Sequence, residues 1–157
     1  MKNSGITQNN LSTILIECIS ALLILLFVYT ATSKLLAHNS FVFTLSQSPL
    51  LQQYSIPLSW LIPFTEILIS CLLFIPRLRK TGLLLSTILL TAFTIYISYM
   101  IAFTPKLPCS CGGVITSLTW REHLLLNISF VAFAVFGWLM IKKKKFYCNN
   151  RSSRTPV

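Results

Sequence analysis

Four long runs of apolar residues constrain this chain more than any other feature of its sequence. They extend over residues 11–36, 57–75, 82–104 and 120–141, with few charged positions inside them. A run of about 18 or more apolar residues is typical of a segment that crosses the hydrocarbon core of a bilayer, which is about 30 Å thick. Because lipid offers no hydrogen-bond partner to peptide groups, each run is expected to form a helix.

The composition also favours a membrane protein over a soluble one. Hydrophobic residues make up 54% of the 157 residues and charged residues 10%, whereas a soluble domain carries about 25% charged residues. We therefore predict an all-α integral membrane bundle of four transmembrane helices with up-down topology. Residues 1–10 are then a cytoplasmic N-terminus, residues 11–141 the transmembrane domain, and residues 142–157 a basic cytoplasmic tail. The first run is too long for a cleaved signal peptide.

The basic residues predict the orientation of this bundle. Ten of the 13 Lys and Arg residues fall in the N-terminus, the second connection and the tail. The other three are Lys34, Lys106 and Arg121. Since cytoplasmic segments are enriched in Lys and Arg, both termini are expected inside the cell, and the first and third connections outside. The net charge of +10 is then a topological signal, with anionic lipid headgroups and not nucleic acid as its partner.

The two outer connections are long and are expected to carry function. The first, residues 39–54, mixes Phe and Leu with Ser and Gln and is predicted to lie as an amphipathic stretch on the membrane surface. The second contains the motif Cys109-Ser-Cys-Gly-Gly113 behind two prolines. Thr119 and Glu122 then fit a capping box that begins the fourth transmembrane helix. These features predict a cysteine motif held close to the membrane surface.

The five cysteines are predicted to have different roles. Cys109 and Cys111 are expected in an oxidising compartment, where a disulfide across one intervening residue closes a tight ring. Strained, exposed disulfides tend to be the labile or catalytic ones, which favours a redox role over a structural staple of the loop. Cys18 and Cys71 fall towards the cytoplasmic ends of their helices and are interpreted as small apolar filler. Cys148 lies in the cytoplasmic tail, where thiols stay reduced.

A metal site is the alternative chemistry for the same loop. Cys109, Cys111 and His123 offer two thiolates and one imidazole, a set that suits zinc or copper. A closed structural site needs four ligands, however, and no fourth is evident nearby in the sequence. We therefore predict thiol redox chemistry ahead of metal binding, and no cofactor.

Two ionisable residues fall within the predicted membrane spans. Glu66 lies well inside the second run, and Lys34 lies at the outer end of the first. Charged groups within a bilayer usually face the bundle interior and pair with one another, so we predict a Lys34–Glu66 ion pair. The alternatives are a Lys34 side chain that extends to the surface and a neutral, hydrogen-bonded Glu66. Glu17 is near the cytoplasmic end of the first run, can reach water and receives no role.

Four groups of residues, taken in order, resemble a known family. They are Thr32-Ser-Lys34-Leu35, Ile62-Pro-Phe-Thr-Glu66, Cys109-Ser-Cys-Gly-Gly113, and Leu118-Thr-Trp-Arg-Glu-His-Leu124 followed by Asn127. This pattern is similar to the methylamine utilisation protein MauE family, within the wider group of DoxX-like four-helix membrane proteins. The resemblance extends from about residue 11 to residue 141. The family usually has a Cys-Gly-Cys-Phe-Gly type of motif, whereas Ser110 and Gly112 stand at two of those positions here.

The resemblance implies a protein of the bacterial cytoplasmic membrane that acts in thiol–disulfide redox chemistry or in the maturation of a periplasmic client. MauE-type proteins are linked to production of the disulfide-rich small subunit of methylamine dehydrogenase, and they are associated with a thioredoxin-like partner. Cys109 and Cys111 would be the redox pair. The other hypothesis is a non-catalytic membrane scaffold or assembly factor in which the two cysteines form a structural disulfide.

Overall fold

The computed structural model of the protein describes residues 4–48, 51–103 and 120–152. Within these ranges the chain forms α-helices and one short 3₁₀ turn and has no strand, which confirms the predicted all-α class. Four helices are long and apolar enough to cross a membrane. The candidate spans are Leu11–Leu36, Gln52–Phe74, Arg79–Ala102 and Glu122–Lys143.

The helices are numbered α1 to α5 along the chain. They extend over Ser4–Leu36 (α1), His38–Ser46 (α2), Ser55–Phe74 (α3), Arg79–Phe103 (α4) and Trp120–Ser152 (α5), and the 3₁₀ turn Gln52–Tyr54 precedes α3. The first and last helices, α1 and α5, are longer than the apolar runs that they contain. Both continue beyond the spans because extending a formed helix costs far less than nucleating one, and because Lys, which is frequent after α5's span, favours helix.

The connection between α3 and α4 is short because of its sequence. Ile75 has extended backbone dihedrals, φ −82° and ψ 114°, as expected for a residue that precedes a proline. The amide of Leu78 then donates to the carbonyl of Ile75 at 3.0 Å, which closes the turn. The chain therefore re-enters the bundle within a few residues of leaving it.

The connection between α1 and α3 packs more closely than expected for a stretch lying on a membrane surface. α2 follows α1 after the single residue Ala37, whose ψ of 37° interrupts the helix. α2 buries Phe41, Thr44 and Leu45 and packs against α3 and the end of α1. It therefore extends the bundle core, because its apolar side chains have protein partners close at hand.

The bundle core lies between two helix pairs. α1 packs chiefly against α3, and α4 against α5, while contacts between α3 and α4 and between α1 and α5 join the pairs. Gly82 permits close packing of α4, since a Cβ there would lie 3.0 Å from the backbone nitrogen of Leu73 on α3. The core side chains are Ile19, Leu23, Phe27, Ile69, Leu73, Leu83, Leu90 and Ala134.

The outside of the bundle carries many large apolar side chains. At most 33% of any candidate span is buried within the protein, and the exposed positions carry many Leu, Ile and Phe side chains. A contiguous exposed apolar surface of this extent is not stable in water. The four spans therefore require lipid around them.

Candidate functional site: a buried ion pair and its surroundings

The structure brings Lys34 and Glu66 together inside the bundle. The Nζ of Lys34, in the last turn of α1, donates to Oε1 of Glu66 on α3 at 2.5 Å. The Glu66 side chain is 2% exposed and that of Lys34 is 14% exposed. The two opposite charges compensate each other inside the bundle. Either charge alone would cost considerable free energy within the membrane.

Local sequence explains how α3 presents its carboxylate. Glu66 lies one turn after Pro63, which is buried within α3. A proline inside a helix cannot donate to the carbonyl four residues earlier, here that of Ser59. The Ser59 hydroxyl, also buried, donates to the Ile56 carbonyl at 2.7 Å. The backbone of α3 therefore lacks one intrahelical hydrogen bond in the turn before Glu66.

Aromatic rings complete the surroundings of the ammonium group. The Nζ of Lys34 lies 5.3 Å from the ring centroid of Phe93 on α4 and 5.9 Å from that of Phe41 on α2. Both distances are within the range of cation–π attraction. Lys34 therefore contacts side chains from three other helices. The sequence offered no signal for Phe93, because it is one apolar residue among many in an uncharged run.

The fourth partner of this site is α5. It packs against α1 and α4, and His123 in its first turns is partly buried. Asn127 lies one turn further along and therefore on the same face of the helix, and it is 6% exposed. A polar amide in an uncharged apolar run was the signal for Asn127, which sequence reasoning noted only within the family pattern. The alternative in which His123 binds a metal ion also requires Cys109 and Cys111 as ligands.

The opposite end of the bundle carries a second, weaker ion pair. Arg79 Nη1, at the start of α4, lies 3.8 Å from Glu17 Oε1 on α1, and the Glu17 side chain is 59% exposed. The sequence analysis gave Glu17 no role. Cys18 and Cys71 are free and exposed on the surface of the helices, and their interpretation as small apolar filler stays a prediction.

The predicted redox pair belongs to a segment outside the part of the chain that the structure describes. Cys109 and Cys111 lie outside the described residues, in the segment that connects α4 to α5. The side chain of Cys148 lies outside them as well. In the described part of the chain, no three His, Cys, Asp or Glu side chains are grouped so that they could hold a metal ion. The redox and metal interpretations of the loop therefore remain predictions.

Comparison with known proteins gives one informative result. The family model described as methylamine utilisation protein MauE matches residues 12–140, a range that contains all four candidate spans in large part. No curated protein and no solved structure matches the chain. The matched region includes the Lys34–Glu66 pair, His123, Asn127 and the cysteine motif. With four apolar helices and a match over most of its length, the chain belongs to the methylamine utilisation protein MauE family.

Proposed function

We propose that this protein of the bacterial cytoplasmic membrane takes part in thiol–disulfide redox chemistry, or in maturation, of a periplasmic client through Cys109 and Cys111. The observation that carries the proposal is where the cysteine-bearing segment is attached. It joins the end of α4 to the start of α5, and Lys34, in the last turn of α1, lies at the same end of the bundle, opposite the contact between Glu17 of α1 and Arg79 of α4. The motif is thereby tethered at the end of the bundle that holds the buried polar centre.

Contacts at the other end support up-down topology with both termini in the cytoplasm. Glu17 of α1 lies near Arg79 of α4, and a Cβ at Gly137 of α5 would lie 3.3 Å from Ile19. The start of α1, the start of α4 and the later part of α5 therefore share one end. Most Lys and Arg residues of the chain belong to segments at that end, and such segments face the cytoplasm in membrane proteins.

The proposed reaction is thiol–disulfide exchange with the client. The Cys111 thiolate attacks one sulfur of a client disulfide, forming a mixed disulfide and releasing the other client sulfur as a thiolate that takes up a proton. The Cys109 thiolate then attacks the Cys111 sulfur and displaces the second client thiolate. Two electrons have moved from the cysteine pair to the client, and the reverse sequence oxidises the client.

Backbone chemistry favours Cys111 as the attacking residue. Gly112 and Gly113 follow it, and their amide groups are available to stabilise a thiolate. Cys109 follows Pro108, which has no amide hydrogen to donate. The family description points to methylamine utilisation as the context, and the proposed client is a disulfide-rich periplasmic protein or a thioredoxin-like carrier.

Trapping of the mixed disulfide tests this function. Removal of the resolving thiol leaves the first intermediate unable to collapse, so Cys109→Ser is expected to accumulate a covalent complex with a periplasmic protein. The complex is detected as a band of lower mobility on a non-reducing gel that disappears with reductant. Cys111→Ser should give much less of it, and Cys71→Ser, which alters an exposed thiol on α3, serves as the matched control.

Cells that carry the same variants distinguish the redox proposal from the scaffold hypothesis. If neither loop variant yields a complex and both retain full function in cells, the cysteines are not exchanging with a client. A non-catalytic assembly role would then replace the redox proposal.

A further inference from the structure

Basic side chains are concentrated at the end of the bundle where Glu17 lies near Arg79. Glu17 is the one acidic side chain that the structure describes at this end. Five described basic side chains accompany it, and all of them except that of Arg79 belong to exposed residues. They are Arg77, Arg79 and Lys80 around the start of α4, and Lys142 and Lys143 on α5. Such an excess of positive charge creates a local potential that attracts anions.

Packing between α4 and α5 brings the two groups of basic residues to one level of the bundle. A Cβ at Gly137 of α5 would lie 3.4 Å from the Leu83 side chain of α4. Leu83 is near the start of its candidate span and Gly137 near the end of its own, so the two helices run antiparallel. One helical turn towards the end of the bundle, Arg79 on α4 therefore lies level with Ile141 on α5, next to Lys142.

This level is also where the apolar spans stop. One candidate span begins at Arg79 and another ends at Lys143. The Lys142 ammonium group lies 5.3 Å from the ring centroid of Trp138, which is one turn deeper in the span, so the charge is held at the depth of the span boundary. Tryptophan is enriched where a membrane meets water, and lipid headgroups flank the hydrocarbon core at that depth.

The guanidinium group of Arg79 retains capacity to bind an anion. Its Nη1 lies 3.8 Å from Oε1 of Glu17, which is longer than a hydrogen bond. The Nε atom of Arg79 has no hydrogen-bond partner among the described residues either. The side chain is 18% exposed, so a group at the surface can reach it. Arginine is well suited to phosphate, because its planar fork of N–H donors matches the phosphate oxygens.

We propose that these basic residues form a cationic surface that binds the phosphate headgroup of an anionic phospholipid. Charge complementarity and depth favour a lipid over other anions, because basic surfaces between membrane helices bind such headgroups. The exposed side chains of Phe136 and Leu139 on α5 lie deeper in the same span and offer an apolar surface to the acyl chains. The cationic surface is remote from the cysteine-bearing segment, which joins the other ends of α4 and α5. It comprises Arg77, Arg79, Lys80, Lys142 and Lys143.

Quenching of tryptophan fluorescence by brominated lipids tests this site. The full-length protein with Trp60→Phe and Trp120→Phe retains only Trp138, and it is reconstituted in vesicles that contain brominated phosphatidylglycerol or brominated phosphatidylcholine. Phosphatidylglycerol should bind beside Trp138 at least about fivefold more strongly, since one Lys or Arg near a membrane surface contributes about that factor. Arg79→Gln and Lys142→Gln should each remove most of the preference.

Two controls separate a defined site from general attraction to a basic protein. Arg151→Gln removes the same charge about 14 Å beyond Lys142 along α5, which exceeds the Debye length of about 8 Å at physiological salt, so it should leave the preference unchanged. A variant that retains only Trp60, which contacts His38 at the other end of the bundle, should show no preference.

Four results would overturn the proposal. They are equal quenching of Trp138 by the two lipids, an equal preference at Trp60, an effect of Arg151→Gln as large as that of Lys142→Gln, and loss of the preference when inorganic phosphate replaces chloride at constant ionic strength. The last result would indicate a site for free phosphate. If Arg79→Gln does not fold, as judged by circular dichroism, Lys142→Gln decides, because it alters an exposed residue.

Discussion

Separating Lys34 from Glu66 should destabilise the bundle, and unequally for the two partners. At 2.5 Å two unit charges attract by about 7 kcal/mol at an effective dielectric of about 20. Desolvation of both groups offsets much of this, and breaking a buried pair typically costs about 3–5 kcal/mol. Lys34→Met leaves a carboxylate that is 2% exposed and cannot reach water, so its cost should be close to 5 kcal/mol.

Glu66→Gln should be the milder of the two single changes. It leaves a Lys34 side chain that is 14% exposed at the end of α1, with a long stem able to carry its charge to the surface. We expect a cost of about 3 kcal/mol. The double variant removes both charges together, so its cost should be about 4 kcal/mol or less, well below the sum of the single effects.

Denaturation with SDS in mixed micelles, followed by far-ultraviolet circular dichroism, measures these free energies of unfolding. Glu17→Gln is the matched control, because it breaks an ion pair at 3.8 Å whose carboxylate is 59% exposed. Exposed pairs contribute about 0–1 kcal/mol. If the double variant equals the sum of the single variants within about 0.5 kcal/mol, the two residues are not energetically coupled and the reasoning is wrong.

Two further predictions concern helix packing and topology. Gly82→Ala should destabilise the protein by about 1–3 kcal/mol, because the added Cβ would lie 3.0 Å from the backbone nitrogen of Leu73. Gly137→Ala should be close to neutral in the same unfolding assay, since its Cβ would meet only side-chain atoms, the nearest at 3.3 Å, and alanine favours helix. In a variant without native cysteines, a membrane-impermeant maleimide added to intact cells should label Gln53→Cys, which is exposed, and not Arg77→Cys. Labelling of the second variant alone would reverse the proposed orientation.

The ion pair shows how far sequence reasoning extends in a membrane protein. Two ionisable residues within apolar runs were sufficient to predict that Lys34 and Glu66 face each other, because lipid penalises a lone charge so strongly. Asn127 was noted only within the family pattern, although a polar side chain in an apolar segment was a signal that could have singled it out. Phe93 could not be predicted as a neighbour of Lys34, since the run that contains it has no periodicity that distinguishes a core face from a lipid face. Phe41 could not be predicted either, because the connection that contains it was expected on the membrane surface.

At the other end of the molecule, residue type did not predict which side chains face the core. Cys18 and Cys71 were interpreted as small apolar filler, an interpretation that leaves open which side of the helix they occupy. In lipid, however, an apolar side chain is equally well accommodated on the outside of the bundle, so residue type does not determine which face is buried. Their exposure follows from the rotation of α1 and α3 about their axes, which packing alone sets.

The sequence by itself determined the all-α class and the four membrane-spanning helices, because backbone hydrogen bonding in lipid leaves a long apolar segment no other stable structure. It also predicted one ionic contact, through the cost of charge in the membrane. Only the tertiary structure decided that α2 packs against the bundle and that Lys34 contacts residues of three other helices. These contacts depend on helix rotation and depth, which hydropathy does not record.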